Sequence, residues 1–444
     1  MRFIIIVALV FSAASPAFAH INGSALSDSG QTITGHNPDS ERVTKNTIFD
    51  SRVRTLMLYR EGWDFSLPIL NLTGAGDQRL TLRFDIVDER IDNLAYSFIH
   101  CDKDWNRSSL FTTDYLDGFH ENMIEEYRQS FNTNVNYTHY TLSFPNERVS
   151  FLVSGNYIIV VHPPGQPDNP LFSRRFMISE SGATIAASVK RPSAGVYRDT
   201  HQQVDITVNI SGIRAIDPHN EIFTSIMQNG RWDNKRANMK ADFISSTELR
   251  YTSLGDKTLF PGGNEFRQFD IRSFRHLTEF VAEATYDGQY HHVRLLPSQN
   301  REFRPYFFRP DLNGRFIVGV QEGVNPHTDA DYAWVYFTLP SGNEIRGGTL
   351  HIHGELTSWT PSGDNRMIYN HESRAYEAAL FLKQGWYNYK YTFVPDGTGE
   401  ELLLPYEGSH FETSNEYFIL VYYRPRGERY DRLIGTHAVV NPAG

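Results

Sequence analysis

Apolar and polar residues alternate with a period of two along most of this chain. Leu80, Leu82, Phe84 and Ile86 are interleaved with Thr81, Arg83 and Asp85, which marks a strand with one buried face. The same reading predicts strands at 52–60, 68–72, 95–101, 135–144, 155–161 and 174–179, with a turn at 74–77. Seven short strands with turn signals between them predict an immunoglobulin-like sandwich over residues 45–180. The register restarts near Gly182. Strands at 184–189, 204–210, 223–230, 248–251, 268–272 and 291–296 predict a second sandwich over 181–300. Strands at 315–319, 331–339, 350–354, 376–382, 385–393 and 416–423 predict a third, early-set-like, over 301–444. The polar run from Arg424 reads as a C-terminal strand or tail, and residues 441–444 are expected to fray. No segment keeps a 3.6-residue apolar period for three turns, so no long helix is expected. The expected fold class is all-β, three tandem immunoglobulin-like or early-set sandwiches.

The first 19 residues break the pattern. Arg2 precedes an apolar run over 3–11, and Ala17-Phe18-Ala19 has the small-x-small form of a cleavage site, so residues 1–19 read as a secretory signal peptide. That run is too short to span a bilayer and no longer one follows, so no transmembrane segment is expected. Residues 20–44 lack apolar periodicity and read as a disordered leader. The single cysteine, Cys101, rules out an internal disulfide and reads as a small buried hydrophobe at a strand end. A net charge of -10 without a basic block argues against a nucleic-acid partner.

Candidate chemistry is sparse. Asp102, Asp104 and Asn106 stand at positions one, three and five of a calcium loop. Arg107 occupies the place that needs Gly, and Thr113 the place that needs a bidentate Glu, so the loop reads as a turn held by Asx hydrogen bonds. The connection from Cys101 to Asn132 is long for a sandwich, with one helical turn expected at 124–128. His351 and His353 share a strand face, as zinc ligands would. No Cys lies near, Glu355 is the only third ligand to invoke, and core or surface pairing is expected. His291 and His292 point to opposite faces of a strand. There is no nucleophile elbow, no H-E-x-x-H and no phosphate loop. No catalytic, cofactor or metal residue is assigned, and the chain does not read as an enzyme.

Aromatics carry what remains: 24 Tyr, 30 Phe and 6 Trp. Trp105, Tyr115, Phe119, Trp359 and Trp386 are the candidate partner contacts. Tyr387, Tyr389 and Tyr391 share one strand face, which suits either core packing or a stacking platform for sugar. The cadence from Gly354 to Tyr391 is similar to early-set glycogen- and starch-binding modules, so the alternative reading is a periplasmic glycan-binding sandwich protein.

The run Tyr96-Ser-Phe-Ile-His-Cys-Asp-Lys-Asp-Trp-Asn, continued by Tyr115-Leu-Asp-Gly-Phe, Phe144-Pro-Asn-Glu and Ser154-Gly-Asn-Tyr, has a distinctive composition. So do Phe260-Pro-Gly-Gly-Asn-Glu-Phe-Arg and Leu404-Pro-Tyr-Glu-Gly-Ser-His-Phe. Together they resemble an exported Bacteroidota family, the type IX secretion system plug proteins. The resemblance spans about residues 45–436. It implies periplasmic β-sandwich proteins held at the outer membrane through a giant translocon β-barrel, whose pore they close from the periplasmic side when no substrate is engaged. It implies no catalytic residue and no cofactor.

Overall fold

The computed structural model describes residues 43–72, 78–252, 256–397 and 404–441. The expected signal peptide, residues 20–42 of the leader, the turn at 74–77 and residues 442–444 lie outside the described residues. The packed chain includes Val43, which is buried among first- and second-sandwich residues, so order starts before residue 45. The fold is all-β. The α- and 3-10 helices among the described elements are single turns of three or four residues.

The first sandwich draws its strands from residues 47–179. One sheet runs Thr47–Ile48, Phe172–Ser179, Gly155–His162, Ala95–Cys101, Glu121–Met123, with Ile69–Asn71 parallel to Phe172–Ser179. The other runs Val53–Arg60, Leu80–Ile86, Thr138–Phe144, Glu126–Gln129. The alternation over 80–86 is explained by the core: Leu80, Leu82, Phe84 and Ile86 meet Phe98, Tyr157, Ile159 and Phe176 of the facing sheet. Phe98 touches the rings of Phe144, Phe151 and Phe176 at centroid distances of 5.1, 5.1 and 5.6 Å. The helical turn expected at 124–128 is instead an edge strand, Glu126–Gln129, paired with Thr138–Phe144. Pairing supplies backbone partners that a lone helical turn lacks. The insert's single turn of helix falls earlier, at Thr112–Tyr115.

Strand pairing crosses the expected boundary at 300/301. One sheet of the second sandwich contains Thr184–Lys190, His201–Asn209, Glu248–Tyr251, Phe243–Ile244 and Leu259–Pro261. The facing sheet runs Arg236–Met239, Ile222–Gln228, Glu416–Tyr423, Arg432–Val440. The strand Glu416–Tyr423, expected in the third sandwich, pairs in register with Ile222–Gln228. Its composition shows why. Tyr417, Ile419, Val421 and Tyr423 fill the second sandwich's core, while Phe418, Leu420 and Tyr422 face the first sandwich. A strand buried on both faces reads as one apolar run, and that run says nothing about which neighbours bury it. The polar tail from Arg424 leads into a genuine strand at Arg432–Val440. Asn441, expected to fray, is buried and donates from Nδ2 to the Phe411 and Thr413 carbonyls at 2.6 and 3.1 Å.

Conversely, two strands expected in the second sandwich, at 268–272 and 291–296, belong to the third, together with the strand Val281–Tyr286 that the sequence reading missed. Arg267–Asp270, Val281–Tyr286 and His291–Leu295 join a nine-stranded sheet with Gly385–Pro395, Gly348–His353, Arg366–Asn370, Ala375–Lys383, Tyr332–Pro340 and Phe316–Val318. Phe269, Val293, Val335, Phe337, Leu350, Ile352 and Tyr389 share one core, so this sheet folds over on itself rather than standing open.

Candidate functional site

The loop after Cys101 is a clasp between the first two sandwiches. Asp102 Oδ1 accepts from the backbone N–H of Asp104 at 2.9 Å and of Asn106 at 2.8 Å, which is the Asx turn expected from the sequence. This turn places Trp105 at φ 71°, with its ring 3% exposed. The ring meets Trp232 of the second sandwich edge-on at 4.9 Å, and the Arg175 guanidinium lies over it at 4.4 Å. Burial pushes Arg175 down to about 10. The Lys103 N–H donates to Asp431 Oδ2 at 2.9 Å, and Asn156 bridges the Asp102 carbonyl and the Tyr422 hydroxyl at 2.8 and 2.9 Å. Cys101 is fully buried, and burial pushes its thiol up to about 12, which makes it inert packing.

The candidate contacts therefore separate. Trp105 and Tyr115 are interior; the Tyr115 hydroxyl donates to the Phe98 carbonyl at 3.0 Å. A partner cannot reach either in this conformation, which corrects their reading as contacts. Phe119 is 73% exposed at the end of the insert. Trp359 and Trp386 are half-buried. Trp359 stands against Phe266 and His353 at 6.1 and 5.2 Å, with Arg231 over its ring at 5.4 Å. Tyr387, Tyr389 and Tyr391 are all buried in the third core, and the Tyr391 hydroxyl lies 2.8 Å from Ser298 Oγ. They form core packing, not a sugar platform, because the sheet closes over that face.

His351 and His353 are also buried. His351 Nε2 and Nδ1 are engaged by Thr349 and Asn365 at 2.8 and 3.0 Å. No group of three or more His, Cys, Asp or Glu side chains gathers as a metal would need among the described residues.

Two buried carboxylates are held by cations deep in the fold. Between the first and third sandwiches, Asp85 Oδ2 pairs with Lys383 Nζ at 2.6 Å, both side chains being closed to solvent. Asp85 also engages His139 Nδ1 at 2.7 Å and accepts from the Tyr332 hydroxyl at 2.8 Å. Lys383 donates to the His327 carbonyl at 2.7 Å and lies 4.0 Å over the Tyr137 ring. Burial alone would raise the Asp85 carboxyl; Lys383 and His139 outweigh it and hold it below the usual range. Within the third sandwich the buried Glu407 pairs with Arg267 at 2.9 Å and with Arg301. Burial opposes its charge, but the two guanidinium groups bring it down to about 2. Each of these buried carboxylates is paired with a cation. The Asp85–Lys383 pair ties the first sandwich to the third, and the Glu407 cluster braces the third from within.

Exposed aromatics occur where the sequence offered no pattern. Phe303, Phe307 and Phe308 are 90%, 74% and 47% exposed, within the run Arg301-Glu-Phe-Arg-Pro-Tyr-Phe-Phe-Arg-Pro. The available signal was the pair of prolines, which deny this aromatic-rich run a strand to bury it.

The family model for the type 9 secretion system plug protein 1st domain matches residues 53–180, the whole first sandwich after its opening strand. Across the solved structures, a hypothetical protein from Parabacteroides merdae ATCC 43184 superposes with a TM-score of 0.86 at 33% identity, over 89% of this chain and 99% of that chain. Native alpha-2-macroglobulin from Escherichia coli, spanning domains NIE-MG1, aligns over 42% of this chain and 97% of that chain at 10% identity. Its TM-score of 0.13 carries no structural likeness. No curated protein matches the sequence. Residues 53–180 carry the first domain of the type 9 secretion system plug protein, and through that domain the chain belongs to the plug protein family.

Proposed function

We propose that the protein is a non-enzymatic periplasmic subunit that closes the outer-membrane translocon pore of the type IX secretion system. The match of the first sandwich to the plug family carries this reading. The architecture supports it. A plug must keep its shape against a lumen, and the first sandwich here is pinned to the second by the Trp105 clasp and to the third by the Asp85–Lys383 pair. Its contact with the membrane runs through a β-barrel partner; among the described residues no helix is long and apolar enough to cross. The glycan-binding alternative loses its main support with the burial of Tyr387, Tyr389 and Tyr391.

Affinity purification from solubilised outer membranes tests the partner. The tagged chain is expected to retain a large β-barrel that carries secretion substrates. Recovery without any such barrel would contradict the reading.

A further inference from the structure

The structure assigns a second recognition site to the third sandwich: a cavity beside the run 301–310 that takes an extended acidic peptide with an aromatic residue. This site stands apart from pore closure, since a chain that closes no pore can still hold a peptide there.

Three observations carry it. The first is the cavity, about 580 Å³, whose walls include Gln268, Phe280, Leu296, Arg304, Phe307 and Arg309. That volume is within the range of small-ligand sites and admits one or two side chains. The second is its unmet polarity. Arg304 has no ion pair among the described residues, although most arginines around it are held, Arg267 and Arg301 by Glu407 and Arg309 by Glu279. Gln268 Oε1 is buried and accepts no hydrogen bond. A free guanidinium calls for a carboxylate, and a buried orphan acceptor calls for an N–H donor. An acidic peptide carries both kinds of group. The third is the rim. The backbone N–H groups of Phe307, Phe308 and Arg309 donate to no described group, and Phe303 and Phe307 stand 90% and 74% exposed beside them. Unpaired backbone with alternating side-chain contacts is how extended peptides are recognised. An anionic lipid surface would satisfy Arg304 and the exposed rings. A lipid headgroup makes no alternating backbone pairing with the N–H groups of Phe307, Phe308 and Arg309, so the peptide is the better fit.

The test is selection of a random octapeptide phage library on the full chain, with Arg304→Glu as the counter-target. Enrichment of sequences that join Asp or Glu to an aromatic residue is expected, and they should bind Arg304→Glu at least tenfold more weakly. Gln268→Leu should weaken them too, by a smaller factor. Thermal unfolding checks that both variants fold; if Arg304→Glu does not, Phe307→Ser takes its place. No enrichment, enrichment without acidic residues, or equal binding to the folded variant overturns the proposal. Sedimentation with phosphatidylglycerol vesicles is the parallel arm. Vesicle binding that depends on Arg304, with no peptide enriched, would assign the loop to a lipid surface instead.

Discussion

Asp85 and Lys383 meet at 2.6 Å inside the protein although 298 positions separate them. One belongs to the first sandwich and the other to the third, so the pair ties together parts of the chain with no sequence proximity. A buried ion pair of this kind is costly to form and costlier to break, because removing one member strands the other without water.

Lys383→Met should therefore destabilise the protein by about 3–5 kcal/mol in urea unfolding. Adding Asp85→Leu to it should recover part of that loss, because the stranded carboxylate is gone. Fully additive losses would show that the two side chains do not act as a pair.

Acid should loosen the Glu407 anchor in a defined window. Its folded pKa, about 2, lies below the ordinary 4.5, so its stabilisation is complete above pH 4.5 and disappears as pH falls toward 2. The contribution at stake is about 3 kcal/mol. Glu407→Gln should be less stable at pH 7 and should lose less further stability between pH 4.5 and 2. Parallel stability–pH curves for the two proteins would refute the anchor.

Trp105→Ala should cost about 3–5 kcal/mol, the range for emptying a large aromatic from a packed site. Phe119→Ser, at an exposed position, should change stability by less than about 0.5 kcal/mol. The contrast separates architecture from recognition within one insert. A Trp105→Ala protein of normal melting temperature would remove the clasp.

Gly118 lies in the run Tyr115-Leu-Asp-Gly-Phe, where φ is +125° and an added Cβ would collide with the Arg148 carbonyl oxygen. Gly118→Ala should destabilise the first sandwich by about 2 kcal/mol or more, through backbone strain and the displaced strand 149–151. Asp117→Ala, beside it and exposed, is the control and should be close to neutral.

How much of this was legible in the sequence depended on distance along the chain. The strands were, because alternation such as that of Leu80, Leu82, Phe84 and Ile86 is a local imprint of the apolar core on one face, even though Thr81 and Asp85 on the other face are buried too. The Asx turn at Asp102 was, because it needs only the next four residues. The division into three contiguous thirds was not, because the pairing of Ile222–Gln228 with Glu416–Tyr423 leaves no mark in either segment alone. For the same reason aromatic spacing could not tell Trp105, which is packed, from Phe119, which is exposed. Phe303 and Phe307 escaped notice because exposed loops carry no periodicity to read.

Closure of a pore is read out as conductance. The translocon β-barrel, reconstituted in a planar bilayer without this protein, should pass current. Adding the protein to the periplasmic face should lower that conductance in proportion to occupancy. Stoichiometric binding with unchanged conductance would rule out pore closure.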